Sequence, residues 1–164
     1  MWLFLKNLIF TVAVPGSVAV WIPLWIATAR GGTLGGTWSL RQSLAWIPVL
    51  VGAGIYLWCV WDFATFGRGT PAPIDAPRRL VVRGLYRYVR NPMYVGVLTM
   101  ILGWCGFFSL GALWRYLLLV AIVFQLVVLV IEEPMLRRRF GAEYERYGRA
   151  VRRWIPGRPY HSET

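Results

Sequence analysis

Residues 113–131 read LWRYLLLVAIVFQLVVLVI, an apolar run with a single charged residue near its start. A helix of about 20 apolar residues spans the hydrocarbon core of a membrane. The rest of the 164-residue chain has the same character, because 57% of all residues are hydrophobic, 15% are charged and ten are tryptophan. This composition excludes a disordered chain and a disulfide scaffold, and it argues against a soluble globular domain. The run therefore predicts a small helical membrane protein.

Three further apolar runs have comparable length, so we predict an all-α, polytopic membrane protein with four transmembrane helices. The whole chain, residues 1–164, forms one integral-membrane domain in this prediction. The predicted spans lie at about 2–29, 44–66, 92–110 and 113–131, with a cytoplasmic link at 67–91 and a cytoplasmic tail at 132–164.

The positive charges are distributed unevenly between the two sides of these spans. All but three of the 18 Lys and Arg residues fall in the N-terminal segment, the link and the tail. Positive charge marks the cytoplasmic side, so we predict that both termini are cytoplasmic. The net charge of +11 lies next to the membrane, where membrane lipids rather than nucleic acid are the expected partners. The sequence leaves the oligomeric state open.

The tail carries an amphipathic pattern. Its apolar side chains recur every three or four residues, at Leu136, Phe140, Tyr144, Tyr147 and Val151. This spacing predicts a cytoplasmic amphipathic C-terminal helix. The helix is expected either to lie on the membrane or to fold back over the cytoplasmic ends of the spans.

Metal-ligating side chains are scarce in this chain. The single histidine is His161, and the two cysteines, Cys59 and Cys105, both lie inside apolar runs. Neither cysteine has the spacing of a metal-ligand pair, so we predict no metal site.

Glu132 and Glu133 are adjacent carboxylates that follow the last apolar run, directly before Pro134. Carboxylates oppose the dipole of a helix C-terminus, which makes a helix-stabilising role unattractive. One interpretation is a binding site at membrane depth, and the other is an interfacial charge paired with nearby arginines. Gln125, two helical turns earlier, is interpreted as an interhelical hydrogen-bonding residue.

A second polar group begins the third apolar run at residues 90–96, which read RNPMYVG. Pro92 suits the first turn of a helix, where its missing N–H group is harmless. Asn91 is a favourable N-cap residue. The free N–H groups of this helix start could also hold the carboxylate of a ligand.

Together these motifs resemble a known family. Residues 90–96, preceded by Gly84-Leu85-Tyr86, are similar to the cofactor signature of membrane-embedded S-adenosylmethionine-dependent methyltransferases, the isoprenylcysteine carboxyl methyltransferase and phospholipid methyltransferase relatives. The Glu132-Glu133 pair and the tail motif that follows it resemble the second half of that signature. The resemblance covers about residues 69–156. It implies S-adenosyl-L-methionine as the cofactor and a lipophilic methyl acceptor.

The same resemblance implies a set of site residues. The implied cofactor-binding residues are Arg79, Leu80, Val81, Gly84, Tyr86, Asn91, Pro92, Met93, Tyr94 and Glu132. An amine acceptor must lose a proton, and we assign Glu133 as the candidate base because it is the other carboxylate at that level. Arg90 is the second candidate catalytic residue.

Three departures from the prenylcysteine enzymes bear on the acceptor. Asn91 stands where many of those enzymes have His, and Val128 and Ala150 stand where they carry basic residues. A methyl acceptor with a free carboxylate would need such cations, so a phospholipid amine or a similar small lipophilic acceptor is favoured. The alternatives are isoprenylcysteine carboxyl O-methylation, a sterol-reductase-like NADPH enzyme and a non-enzymatic membrane subunit.

Overall fold

The computed structural model describes residues 13–63, 65 and 80–160. Within these residues the fold is all-helical, as predicted, and a short 3-10 turn at Gly84–Arg87 is the main ordered element between the helices. The five helices are α1 (Ser17–Thr28), α2 (Leu40–Asp62), α3 (Pro92–Phe108), α4 (Gly111–Phe140) and α5 (Ala142–Ala150).

Two of these helices, α2 and α4, are long and apolar enough to cross a membrane, with 23 and 30 residues. The other two apolar helices, α1 and α3, are shorter. The structure therefore supports two of the four predicted spans by length, and the four-span count stays a prediction. Part of the first predicted span and most of the predicted link lie outside the described residues.

The helix α2 begins four residues before the predicted start of the second span. Ser39 and Gln42 form a capping box there, in which the Gln42 side chain accepts a hydrogen bond of 2.9 Å from the Ser39 backbone N–H. Such a box satisfies two of the helix's first free N–H groups. The motif is visible in the sequence, and it sets the start of the helix at Leu40.

Glycines allow α2 and α3 to pack with their backbones close together. A Cβ atom added to Gly52 would lie 2.4 Å from the carbonyl oxygen of Gly96, and one added to Gly103 would lie 2.4 Å from Val49 Cγ2. Small residues at helix contacts are typical of membrane proteins. This close pairing fixes the N-terminal end of α3 relative to the end of α2.

A proline explains how α1 joins this pair. Pro23 has no N–H group, so the carbonyl oxygen of Ala19 lacks its usual helical donor. The Trp104 indole of α3 donates to that oxygen at 2.8 Å, and the Tyr116 hydroxyl of α4 donates to the Val18 carbonyl at 2.9 Å. These bonds attach α1 to α3 and α4.

The helix α4 corrects the prediction for residues 132 and 133. The sequence suggested a helix end near Ile131, but α4 continues to Phe140 through a π-helical turn at Val128–Glu132. In this turn the N–H of Glu133 bonds to the carbonyl of Val128, and the wider turn accommodates Pro134. The helix-dipole argument for the glutamate pair is therefore wrong, because neither residue ends a helix.

The predicted tail helix is interrupted at Gly141, which has a φ of +51° that favours glycine. The apolar face is nevertheless formed across the break. Tyr144, Tyr147 and Val151 are buried together, and Leu136 and Phe140 of α4 pack against them with Leu80, Val82 and Tyr160. The Tyr147 hydroxyl donates to the carbonyl of Tyr86 at 2.7 Å, so the tail packs on the segment that precedes α3.

Candidate functional site

The two sequence motifs meet at one hydrogen bond. Tyr94, in the first turn of α3, donates its hydroxyl to Oε1 of Glu132, which ends the π-helical turn of α4. Oε2 of the same carboxylate accepts no hydrogen bond from the part of the chain that the structure describes. The Glu132 side chain is half-buried, which leaves it partly accessible within the described structure.

Aromatic rings surround this pair. The Tyr94 ring lies 4.3 Å from the Phe124 ring and 6.4 Å from the Trp154 ring, measured between centroids. The Trp154 indole donates to Gln125 Oε1 at 2.7 Å. Gln125 thus bonds to the C-terminal segment rather than to another helix as expected. Sequence reasoning missed Trp154, although a tryptophan after Arg152-Arg153 is a recognisable interfacial signal.

An apolar groove extends from these residues between α3 and α4. It encloses about 410 Å³ and is lined by Val95, Leu98, Thr99, Leu102, Leu117, Ala121, Gln125 and Trp154. The Trp154 ring lines the groove and lies 6.4 Å from the Tyr94 ring, so the groove begins near the Tyr94–Glu132 bond. Gln125 and Trp154 are hydrogen-bonded to each other at one end of the groove. Thr99 donates its hydroxyl to the carbonyl of Val95 on its own helix, and hydrocarbon side chains form the remaining wall. This arrangement suits a ligand with a polar head and an alkyl chain.

Glu133 has a different environment, although it is adjacent in sequence. It is 5% exposed and receives Nε of Arg153 at 2.6 Å and Nη1 of Arg90 at 3.1 Å. Arg137, one turn later on α4, lies 3.7 Å away. The hydrogen bond to Glu133 raises the pKa of Arg153. We call Glu133 and these three arginines the arginine cluster.

The arginine cluster matches the second interpretation of the glutamate pair, an ion-paired charge. Three guanidinium groups stabilise the carboxylate as an anion, which weakens it as a proton acceptor. The assignment of Glu133 as a base stays a prediction, as does a catalytic role for Arg90. Arg90 is nearly buried, and its Nε atom has no hydrogen-bond partner within the described residues.

The start of α3 is where the sequence placed it. Asn91 precedes the helix, but its side chain does not cap it and instead donates to the carbonyl of Arg153 at 3.2 Å. Pro92 is buried in the first turn, and the Val95 N–H bonds to the Asn91 carbonyl. The backbone N–H groups of Met93 and Tyr94 are the donors that such a helix start leaves free.

The remaining predicted cofactor residues lie on the segment before α3. Tyr86 is buried in the 3-10 turn, with its ring 5.5 Å from Phe63, and it is close enough to Glu132 to interact with it electrostatically. Burial raises the pKa of Tyr86, so its phenol stays neutral. Gly84 packs on Asp62 of α2, and its φ is +53°.

The upstream end of that segment is less directly connected to Glu132. Leu80 packs against the tail tyrosines, and Val81 is half-buried. Arg79 lies outside the described residues. The structure thus brings Tyr94 and Glu132 together, with Tyr86 within electrostatic range of Glu132, and it leaves Leu80 beside α5.

Comparison with known proteins identifies the class. A family model described as phospholipid methyltransferase matches residues 40–143, more than half of the chain. The chain therefore belongs to the phospholipid methyltransferase family. The matched range includes α2, α3 and α4, and it contains residues 90–96 and the Glu132-Glu133 pair. The resemblance inferred from the motifs is thus confirmed.

One curated protein is similar to part of the chain. An uncharacterized protein of Haemophilus influenzae is 32% identical over 63 residues, which cover 38% of this chain and all of that protein. No solved structure matches the chain.

Proposed function

We propose that the protein is an integral-membrane methyltransferase that uses S-adenosyl-L-methionine to methylate a lipophilic acceptor at the cytoplasmic face. The acceptor in this proposal is a phospholipid amine or a similar small lipophilic molecule. The observation that carries the proposal is the Tyr94–Glu132 hydrogen bond, which joins both halves of the family motif at the polar end of an apolar groove.

The groups around this bond fit the proposed cofactor. S-adenosyl-L-methionine supplies an electrophilic methyl group when bound. Glu132 Oε2 can accept hydrogen bonds from ribose hydroxyls or an amine. The N–H groups of Met93 and Tyr94 can donate to a carboxylate at the start of α3. The buried phenol of Tyr86 is neutral and lies within electrostatic range of Glu132.

The groove between α3 and α4 fits the proposed acceptor. Its hydrocarbon walls would take an alkyl chain that enters sideways from the membrane, and Gln125 and Trp154 would position the polar head. The rings of Tyr94, Phe124 and Trp154 form an aromatic surface that favours a cationic head group. Burial of the reacting groups there would also exclude water.

Two positions support an acceptor without a carboxylate. Val128 is buried in the π-helical turn, and Ala150 is exposed at the end of α5, so neither supplies a cation. Arg153, which is near, is already bonded to Glu133 through both Nε and Nη2. Among the described residues, none of these three positions therefore offers a free guanidinium group to an isoprenylcysteine carboxylate.

For Glu133 we propose a positioning role in place of the predicted base. It connects Arg90, before α3, with Arg153 on the C-terminal segment. Arg153 in turn precedes Trp154, which lines the groove. The arginine cluster would thus hold the groove residue in place without contacting the substrate.

The proposal also includes the four-span arrangement with cytoplasmic termini. The helix α3, with 17 residues, is shorter than α2 and α4, and α3 and the described part of α1 pack directly against their neighbours. Thinning of the bilayer at such helices is a known adaptation to a short span.

A transfer assay with matched variants tests the proposal. Purified protein in detergent is incubated with methyl-labelled cofactor and phosphatidylethanolamine, a lipophilic thiol or a farnesylcysteine. We expect labelled product from the first two classes with wild-type protein and with Glu143→Gln, an exposed control on α5. Glu132→Gln should lose most of the activity. Absence of both cofactor binding and transfer would support a non-enzymatic subunit, whereas preferential labelling of farnesylcysteine would favour the carboxyl methyltransferase alternative.

A further inference from the structure

A second cavity lies at the end of α2, where the helix meets the 3-10 turn. It encloses about 550 Å³ and is lined by Trp58, Trp61, Asp62, Arg83 and Gly84. Among the residues that the structure describes, it shares no lining residue with the groove between α3 and α4. We call it the α2 cavity.

The most unusual group in the α2 cavity is the carboxylate of Asp62. Asp62 is 4% exposed, and its Oδ2 atom has no hydrogen-bond partner within the described residues. The Trp58 and Arg83 side chains interact with the carboxylate. A buried carboxylate oxygen without a donor is unfavourable, and a ligand with an N–H or ammonium group would relieve this cost.

Two indoles accompany this carboxylate. Trp58 and Trp61 are 56% and 67% exposed, although they end an apolar helix. Tryptophans at the ends of apolar helices lie at the level of the lipid headgroups. Indole faces attract ammonium and quaternary ammonium groups, the more so next to a carboxylate.

Arg83 provides the opposite charge in the same cavity. A guanidinium group binds phosphate through paired hydrogen bonds. The α2 cavity therefore offers the Asp62 carboxylate and two indole faces to a positively charged group of a ligand. It offers the Arg83 guanidinium group to a negatively charged group of the same ligand. A ligand that carries both charges, with no net charge, matches this set best.

We propose that the α2 cavity binds the zwitterionic headgroup of a membrane phospholipid, with its ammonium group at Asp62 and the indoles and its phosphate at Arg83. The alkyl chains would run along the exposed apolar side of α2, where Leu57 and Leu50 are 59% and 65% exposed. Gly84 is both a lining residue of the α2 cavity and one of the residues implied for the cofactor. The proposal does not depend on methyl transfer, because the side chains that it uses, those of Asp62, Trp58, Trp61 and Arg83, belong to neither the predicted cofactor site nor the acceptor site.

Lipid retention by the full chain tests the proposal. Purified protein is equilibrated in nanodiscs with equal amounts of phosphatidylcholine and phosphatidylglycerol, and the lipids that remain bound are measured by native mass spectrometry. We expect the wild-type protein to retain phosphatidylcholine preferentially, about tenfold over phosphatidylglycerol. Asp62→Asn, which keeps the shape, should abolish this preference. Trp61→Leu should lower it, whereas Trp25→Leu, at an exposed tryptophan on α1, should not.

A competition experiment distinguishes a lipid from a free, soluble phosphocholine as the ligand of the α2 cavity. Free phosphocholine should displace the lipid only at concentrations far above those of dihexanoylphosphatidylcholine, because it lacks the chains. Displacement by phosphocholine at equal concentration would overturn a lipid site in favour of a soluble ligand. Unchanged preference in both Asp62→Asn and Trp61→Leu would overturn the proposal altogether. Because Trp61 is exposed, this second variant remains informative if Asp62→Asn does not fold.

Calorimetric titration with S-adenosyl-L-methionine distinguishes this site from the proposed active site. We expect Asp62→Asn to bind the cofactor as the wild type does. Loss of cofactor binding with lipid preference intact would assign the α2 cavity to the cofactor site and overturn the inference. Failure of wild-type protein to bind any cofactor would overturn the proposed function instead, and it would leave the lipid preference unaffected.

Discussion

Glu132 and Glu133 are neighbours in the chain, yet the structure gives them opposite surroundings. Glu132 bonds to a neutral phenol at the end of an apolar groove, and Glu133 is buried among three arginines. Successive helical residues point about 100° apart, so one turn of α4 can supply both a ligand-binding carboxylate and an ion-paired one. A pair of identical residues in a motif therefore need not share a role.

The largest expected effect is a loss of stability when Glu133 is replaced. Glu133→Ala leaves Arg90, which is 11% exposed, without its carboxylate partner. Removing one member of a buried ion pair costs about 3–5 kcal/mol of unfolding free energy. Chemical unfolding in detergent measures this, and Glu143→Gln should change it by less than about 0.5 kcal/mol.

A conservative variant separates positioning from proton transfer at the same residue. Glu133→Gln should raise the acceptor KM with little change in the pH dependence of kcat, because Glu133 acts through Arg153 and Trp154. A stable Glu133→Gln protein that binds cofactor normally and loses kcat with an altered pH profile would restore the base assignment.

The next largest expected effect is a loss of cofactor affinity when Glu132 is replaced. Glu132→Gln weakens charge-assisted hydrogen bonds to the cofactor, which are worth about 1.5–3 kcal/mol. Cofactor affinity should fall about tenfold to a hundredfold in calorimetric titration, while the unfolding free energy stays near that of the wild type. Tyr94→Phe, which removes the hydroxyl that bonds to Glu132, should have a smaller effect in the same direction. Unchanged affinity in folded Glu132→Gln would place the cofactor elsewhere.

A third effect concerns the groove that begins beside Glu132. Trp154→Leu removes the hydrogen bond to Gln125 and one wall of the groove mouth. Losing about 1 kcal/mol of acceptor binding raises the acceptor KM roughly fivefold. Cofactor affinity should not change, and Trp38→Leu, at a tryptophan before α2, provides the matched control. An equal loss of cofactor affinity would show that the groove and the cofactor site are a single binding site, which would contradict the prediction.

The last prediction concerns stability rather than binding, and it tests the connection between α4 and α5. An alanine at Gly141 meets no atom within 4 Å, so its cost comes only from the positive φ. With a ψ of −125°, Gly141 lies in a sparsely populated region where a non-glycine residue costs about 1–3 kcal/mol. Thermal unfolding of Gly141→Ala should show this loss, with Gly111→Ala as a control at a glycine that has open space and no positive φ. No loss would mean that the tail tyrosines tolerate a continuous helix.

Local patterns predicted much of this fold. The apolar runs predicted helices, and the spacing of Leu136, Phe140, Tyr144, Tyr147 and Val151 predicted a shared face, because both depend on neighbours in the chain. The continuation of α4 through Pro134 was missed, since proline signals a break unless a wider turn absorbs it. The different roles of Glu132 and Glu133 could not be predicted, because they depend on residues from distant segments.

Trp154 shows the same limit at the candidate site. Its position follows from backbone bonds between distant segments, in which the Arg90 N–H bonds to the Arg152 carbonyl at 2.8 Å and the Gly157 N–H to the Tyr88 carbonyl at 2.9 Å. No sequence periodicity encodes such pairing. Residues 90–94 and Glu132 were predicted as site residues from a resemblance. The structure adds the contacts that connect them, such as the hydrogen bond between Tyr94 and Glu132.

That backbone pairing between residues 87–91 and the C-terminal segment also orders events during synthesis. The ribosome releases the last helix of the bundle before it releases residues 152–160, which carry Arg153 and Trp154. A nascent chain can therefore insert its apolar helices while the groove mouth is still open and Glu133 lacks its shortest ion pair. The centre proposed for methyl transfer closes last, after the membrane anchor is already in place.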